Sequence, residues 1–248
     1  MMGLQLPALR AAWAHATQGM LLVQKNKLKE ARELFARAGR EHPDAFFAFL
    51  EASCWMTTHD NSPAQKMEYF RRAVDVFGTA ISRASLVRGV ERAARFLRMR
   101  CRCELIRYDN SNPEEASVPG DPEIRRHLDV NFIGGAMDDI RWFGSHPDFT
   151  EYELSIVCEE SNNLGNGIEG LALAGRWVKH KPDSLLGWHQ KARMAYFTGA
   201  WRVAHDSAKR VLELNPKHAE AQRILERSVE KAREWAAAQE VPAAPKQN

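Results

Sequence analysis

Residues 151–184 read EYELSIVCEESNNLGNGIEGLALAGRWVKHKPDS, and residues 185–218 read LLGWHQKARMAYFTGAWRVAHDSAKRVLELNPKH. The two stretches abut, and each is 34 residues long when Pro182 and Pro216 are set in register. At matching offsets the first carries Leu154, Cys158, Gly165, Gly170, Ala174 and Pro182. The second carries Trp188, Ala192, Gly199, Ala204, Ala208 and Pro216. A period of this length belongs to a helix–turn–helix repeat. The residue types agree: a large residue opens helix A, small residues sit where A crosses B, glycine turns the chain, and proline follows helix B.

The same ruler lands on residues 12–45. Gly19 takes the close-packing position of helix A, and Asn26 takes the turn, where a residue tolerant of positive φ is needed. Ala31, Phe35 and Ala38 reproduce an A-x3-F-x2-A spacing, and Pro43 closes the unit. On these residues the chain resembles the tetratricopeptide repeat (TPR) family. Helix A departs from the family pattern, with His15 and Gln18 where Trp and Leu are usual. Residues 46–79 form a degenerate copy: Phe70 and Ala73 keep the spacing only if one residue is inserted near 57–61.

Between 80 and 150 the ruler fails. Residues 80–107 read as one long helix with Leu86, Val90, Ala93, Ala94, Leu97 and Cys101 on its apolar arc. Residues 109–120 read as an acidic loop. Asp121, Pro122 and Glu123 have the form of a helix start, leading to a helix that ends near Phe143, with Gly134 and Gly135 as a bend or a split. The expected fold is therefore all-α: a TPR-like superhelical stack of antiparallel helix pairs. Its parts are N-terminal repeats at 1–79 (12–45 regular, 46–79 degenerate), an irregular pair at 80–150, and two regular repeats plus a capping helix at 151–239. Residues 240–248 read as a disordered tail.

Bulk properties narrow the function classes. A formal charge of +3 is too small to argue for nucleic acid. The apolar runs are far short of the ~18 residues a membrane span requires, and no secretory pattern opens the sequence. Four cysteines spread over 248 residues suit reduced thiols, so the expected location is cytoplasmic.

No catalytic, metal or cofactor site is expected. Gly165, Gly167 and Gly170 satisfy G-x-G-x-x-G, but a dinucleotide fingerprint must follow a strand, and a helical pattern precedes this one. Cys101 and Cys103 are spaced too closely for an ordinary zinc pair, and only Cys101 lies in the apolar stripe; they read as buried or incidental thiols, with a reactive Cys103 between Arg100 and Arg102 as the lesser alternative. The acid pairs Glu114–Glu115, Asp138–Asp139 and Glu159–Glu160 read as solvated faces. Charge is more uneven: residues 82–107 hold eight Arg against two Glu, and residues 109–160 hold thirteen acids against three Arg. Mutual neutralisation of these segments is the plainer explanation. The sharper one is that a basic face of Arg88, Arg92, Arg95 and Arg102 docks an acidic partner or a phosphate backbone. Few aromatics interleave with these arginines, which disfavours nucleic acid.

The resemblance implies a concave surface lined by the second, fifth, ninth, twelfth and thirteenth positions of each helix A. In the first two units these give Trp13, Ala16, Met20, Val23, Phe47, Leu50, Cys54 and Thr57. In the last two they give Tyr152, Ser155, Glu159, Asn162, Asn163, Leu186, His189, Arg193, Tyr196 and Phe197. The core of the expected peptide groove is Trp13, Met20, Phe47, Leu50, Glu159, Asn162, Asn163, His189, Arg193 and Tyr196. One half is apolar and the other polar, which suits a peptide or helix of a partner protein. A second copy of the chain is the alternative occupant of the apolar half. The implied function is a non-catalytic adaptor or chaperone-like scaffold. The Lys and Asn of the family's carboxylate-gripping subtype are missing from the fifth and ninth positions.

Overall fold

A computed structural model describes residues 5–58, 62–84, 88–111, 133–146 and 149–239. Among them the chain is all-helical, with α1 Gln5–Gln24, α2 Leu28–Glu41, α3 Ala45–Thr57, α4 Pro63–Arg83 and α5 Arg88–Ser111. There follow α6 Gly135–Ser145, α7 Glu151–Asn163, α8 Gly167–His180, α9 Leu185–Phe197, α10 Trp201–Leu214 and α11 Ala219–Gln239.

The repeat ruler marks physical joints. Asn26 (φ 56°), Gly165 (φ 75°) and Gly199 (φ 77°) occupy the same offset, and each makes the left-handed turn between helix A and helix B. Side-chain caps start the A helices: Asp44 accepts from Phe46 N at 2.7 Å, Ser184 from Gly187 N at 3.0 Å, and Thr150 forms a capping box with Glu153. Ser184 also accepts from Trp177 Nε1 at 3.0 Å and donates to Glu151 at 2.6 Å, tying α7, α8 and the start of α9 at one hydroxyl. Where helix A crosses helix B, space is short. A Cβ on Gly19 would stand 2.7 Å from Phe35 Cε1, and one on Gly170 would stand 2.9 Å from Met194 Sδ.

Each helix packs on the next in sequence through α1–α5 and through α7–α11, and alternate helices also touch (α3 with α5, α7 with α9, α9 with α11). The chain divides into two compact units, 1–139 and 140–248. In the first, one core gathers Ala12, Ala31, Phe35, Ala38 and Phe47; a second gathers Phe70, Ala73, Phe77, Ala94 and Leu105. In the second unit Ala192, Ala195, Ala204, Ala208, Val211, Ala221 and Ile224 form the core between α9, α10 and α11. The alanine-rich composition of this core permits close helix approach.

Two expectations about the middle are corrected. Residues 80–107 are not one helix: Ala80–Arg83 finish α4, Ala84 caps it, and α5 starts at Arg88. The helix then runs through Asp109 to Ser111, where an acidic loop was expected to have begun. α6 runs from Gly135 and is preceded by a π-turn at 133–134, an irregularity at the glycine pair where the sequence placed a bend or a split. The expected helix start at 121–123, the rest of the acidic loop and the tail 240–248 lie outside the described residues.

Candidate functional site

In the first unit the expected groove positions separate into two kinds. Trp13 is 45% exposed, and Met20 and Val23 are also open. Ala16, Phe47 and Cys54 are buried. Phe47 is 1% exposed and meets Trp13 edge-on at 5.3 Å, so it is a core residue and not a groove wall. The cause is local: α3 (AFFAFLEASCWMT) is apolar all round and is packed on both sides, by α2 and α4. Leu50 is half-buried against the same core.

The second unit presents a mixed surface along α7 and α9. Tyr152, Glu159, Asn163 and Phe197 are exposed; Ser155, Asn162, Leu186, His189, Arg193 and Tyr196 are half-buried. Gln190 Nε2 donates to Ser155 Oγ at 2.9 Å and joins the two helices, while Asn163 Nδ2 donates to Glu160 at 3.4 Å. Across α9, Arg193 Nε lies 3.3 Å and His189 Nε2 lies 3.0 Å from the Glu220 carboxylate of α11. The His189 ring is 4.6 Å from His218, whose Nδ1 accepts from Ala221 N at 3.2 Å and so caps α11. Burial pushes His189 below its ordinary value of 6.5; Glu220 opposes this, and His218 and Arg193 add to it. Arg193 also stands over Phe197 at 6.0 Å, and Tyr196 meets Trp201 edge-on at 5.4 Å. This surface can offer amide hydrogen bonds, one guanidinium and three aromatic rings. Glu220 was not expected as part of it, because the capping helix carries no repeat positions to mark it.

The basic face of α5 is corrected. Asp139 of α6 is fully buried and takes Arg98 Nη2 at 2.6 Å, Arg102 Nη1 at 2.9 Å and Arg95 Nη1 at 3.3 Å. Arg95 also holds Glu91 at 2.9 Å, and Arg102 donates to Gly135 O at 2.8 Å. A Cβ on Gly135 would sit 2.6 Å from the Arg102 guanidinium carbon, so the glycine clears the path of that side chain. Arg95 and Arg102 are thus committed inside the first unit, as mutual neutralisation of the two segments requires. Arg92 is half-buried, and the Arg88 side chain lies outside the described residues. The acid pairs were expected to be solvated, but Asp139 and Glu160 are buried while Asp138 and Glu159 are exposed. The spacing of Asp139 from Ala136, Ile140 and Phe143 was the available signal: it lies on the apolar face of α6.

All four cysteines are buried. Burial pushes the Cys101 and Cys158 thiols up to about 12 and Cys54 up to about 11, away from nucleophilic use. Cys103 is buried as well, which agrees with the reading of these cysteines as buried thiols and not with a reactive Cys103.

No protein-family model matches the chain, and no curated protein matches it. Among solved structures it is similar to the TPR2AB-domain:pHSP90 complex of yeast Sti1. The likeness covers 92% of this chain and 86% of that one, at 14% sequence identity and a TM-score of 0.32. None of the described helices is long and apolar enough to cross a membrane.

Proposed function

We propose that the chain is a non-catalytic interaction scaffold and that the inner surface of α7 and α9 holds a peptide or helix of a partner protein. The observation that carries this reading is a mismatch between packing and side-chain type. Tyr152 and Phe197 are 60% and 54% exposed at recurring helix A positions, where the same helices bury Leu154, Val157, Ala192 and Met194 completely. Large aromatic groups left in water beside amides and an arginine are the usual make-up of a recognition surface. Among the described residues the thiols lie in the core, Asp139 is held in its arginine cluster, and His189 on this surface is held against Glu220.

The test places a photo-crosslinking residue at Phe197 in one variant and at Arg202, on exposed helix B surface, in another. A partner captured at Phe197, not at Arg202, and lost when Tyr152→Ala is added supports the reading. Identical capture at both positions would overturn it. Tyr152→Ala should shift stability by only about 0.5 kcal/mol or less, as for other exposed positions.

A further inference from the structure

The first and last described helices of the chain turn very different faces to water. On α11, Glu226, Arg227, Glu230, Lys231, Arg233 and Glu234 are all exposed, around two exposed apolar side chains, Val229 at 37% and Trp235 at 60%. Such a polar outer face is what the end of a helical stack needs to stay dispersed. On α1 (QLPALRAAWAHATQGMLLVQ) the only formal charge is Arg10. Leu6, Trp13, Met20 and Leu21 are 55%, 45%, 36% and 52% exposed, although one side of the Trp13 ring meets Phe46 and Phe47 of α3. Leu6, Trp13 and Met20 are seven residues apart and fall on one line, flanked by Arg10, Ala14, Thr17 and Leu21. The buried residues Ala12, Ala16 and Gly19 lie about 60–120° round the helix from that line, on the side away from Arg10, Ala14, Thr17 and Leu21.

We propose that α1 is a self-association helix, on which α1 of a second copy packs antiparallel across a two-fold axis between Trp13 and Ala14. An isologous contact must complement itself, residue by residue. With the axis there, Leu6 faces the other copy's Leu21, Trp13 sits over its Ala14, and Arg10 faces its Thr17. The two Arg10 side chains stand about 10 Å apart along the helices, at 1.5 Å per residue. Large groups meet small ones at the axis, and apolar groups meet at both ends. A head-to-tail contact with α11 would instead set this face, whose one formal charge is Arg10, among the six charged side chains that surround Val229 and Trp235. A partner steered by acidic side chains would find only Arg10. One face of a 20-residue helix is smaller than the ~800 Å² per partner of a standard interface. The dimer therefore dissociates readily, and its population follows concentration.

Sedimentation velocity of the full chain across the micromolar range tests this. The parent should pass from monomer to dimer. Leu6→Glu/Leu21→Glu places like charges opposite each other and should weaken the dimer about tenfold or more. Leu6→Glu/Leu21→Lys places Glu against Lys at both ends and should restore it. Both leucines are exposed, so circular dichroism should be unchanged. A parent that stays monomeric, an acidic variant that dimerises as the parent does, or a failure of the charge-paired variant to recover would each overturn the proposal.

Discussion

At the residue scale, the repeat positions act through volume. Gly19, Cys158 and Ala192 share one offset, and the smallest of them faces the largest neighbour, since Phe35 leaves no room for a Cβ on Gly19. Gly19→Ala should therefore destabilise by roughly 1–3 kcal/mol, the usual cost of overpacking. Gly175 lies mid-helix, and a Cβ added there would have nothing within 4 Å. Gly175→Ala should stabilise by up to about 1 kcal/mol, through helix propensity alone. Urea unfolding of the two variants checks both signs, and equal effects would show that crowding at Gly19 is relieved by movement of Phe35. Gly19 and Asn26 were legible in the sequence because spacing alone assigns them. Phe47 was not, because a helix apolar on every face gives no wheel to separate groove from core.

At the element scale, two helices are held by charges on neighbouring elements. Asp139 anchors α6 to α5, and its carboxylate is the shared counter-ion of three half-buried arginines. Asp139→Asn leaves those cations unbalanced and should cost about 3 kcal/mol or more, as when one partner of a buried pair is removed. A loss below about 0.5 kcal/mol in urea unfolding, the range of an exposed pair, would mean that water already screens the cluster. α11 is tied to α9 through Glu220, His189 and Arg193, with His218 at its cap. Folding holds His189 below 6.5, so as pH falls through that value the unfolded chain binds the proton first. The stability this neutral ring contributes is full above about 6.5 and is lost on descent to the folded-state value. His189→Gln should flatten the decline in melting temperature over that window, and an unchanged slope would place the titration on another group. The end of α4 at Arg83 escaped the sequence for a physical reason. No glycine or proline marks it, and the apolar spacing of Leu86 and Val90 runs on as if the helix continued.

At the scale of the whole molecule, the 34-residue period made the two ends readable and left the middle obscure, since residues 80–150 keep no offset for a ruler to find. The charge imbalance was visible there, but its resolution was not: a single buried aspartate absorbs three of the eight arginines between 82 and 107. What remains sets the expectation for nucleic acid, which salt dependence tests. A net charge of +3 spread over two compact units gives little attraction for phosphate, and a protein making six to ten phosphate contacts would show a salt slope of roughly −5 to −9 on duplex DNA. Fluorescence anisotropy with a labelled duplex should instead show weak binding, confined to low salt, with a slope of about −2 or shallower. Asp139→Asn supplies the complementary arm, because it removes the one negative charge shared by Arg95, Arg98 and Arg102 without adding a cation. If the variant binds duplex with a clearly steeper slope than the parent, Asp139 is what silences the face. If the parent itself shows the steep slope, arginines outside the Asp139 cluster form a working phosphate site.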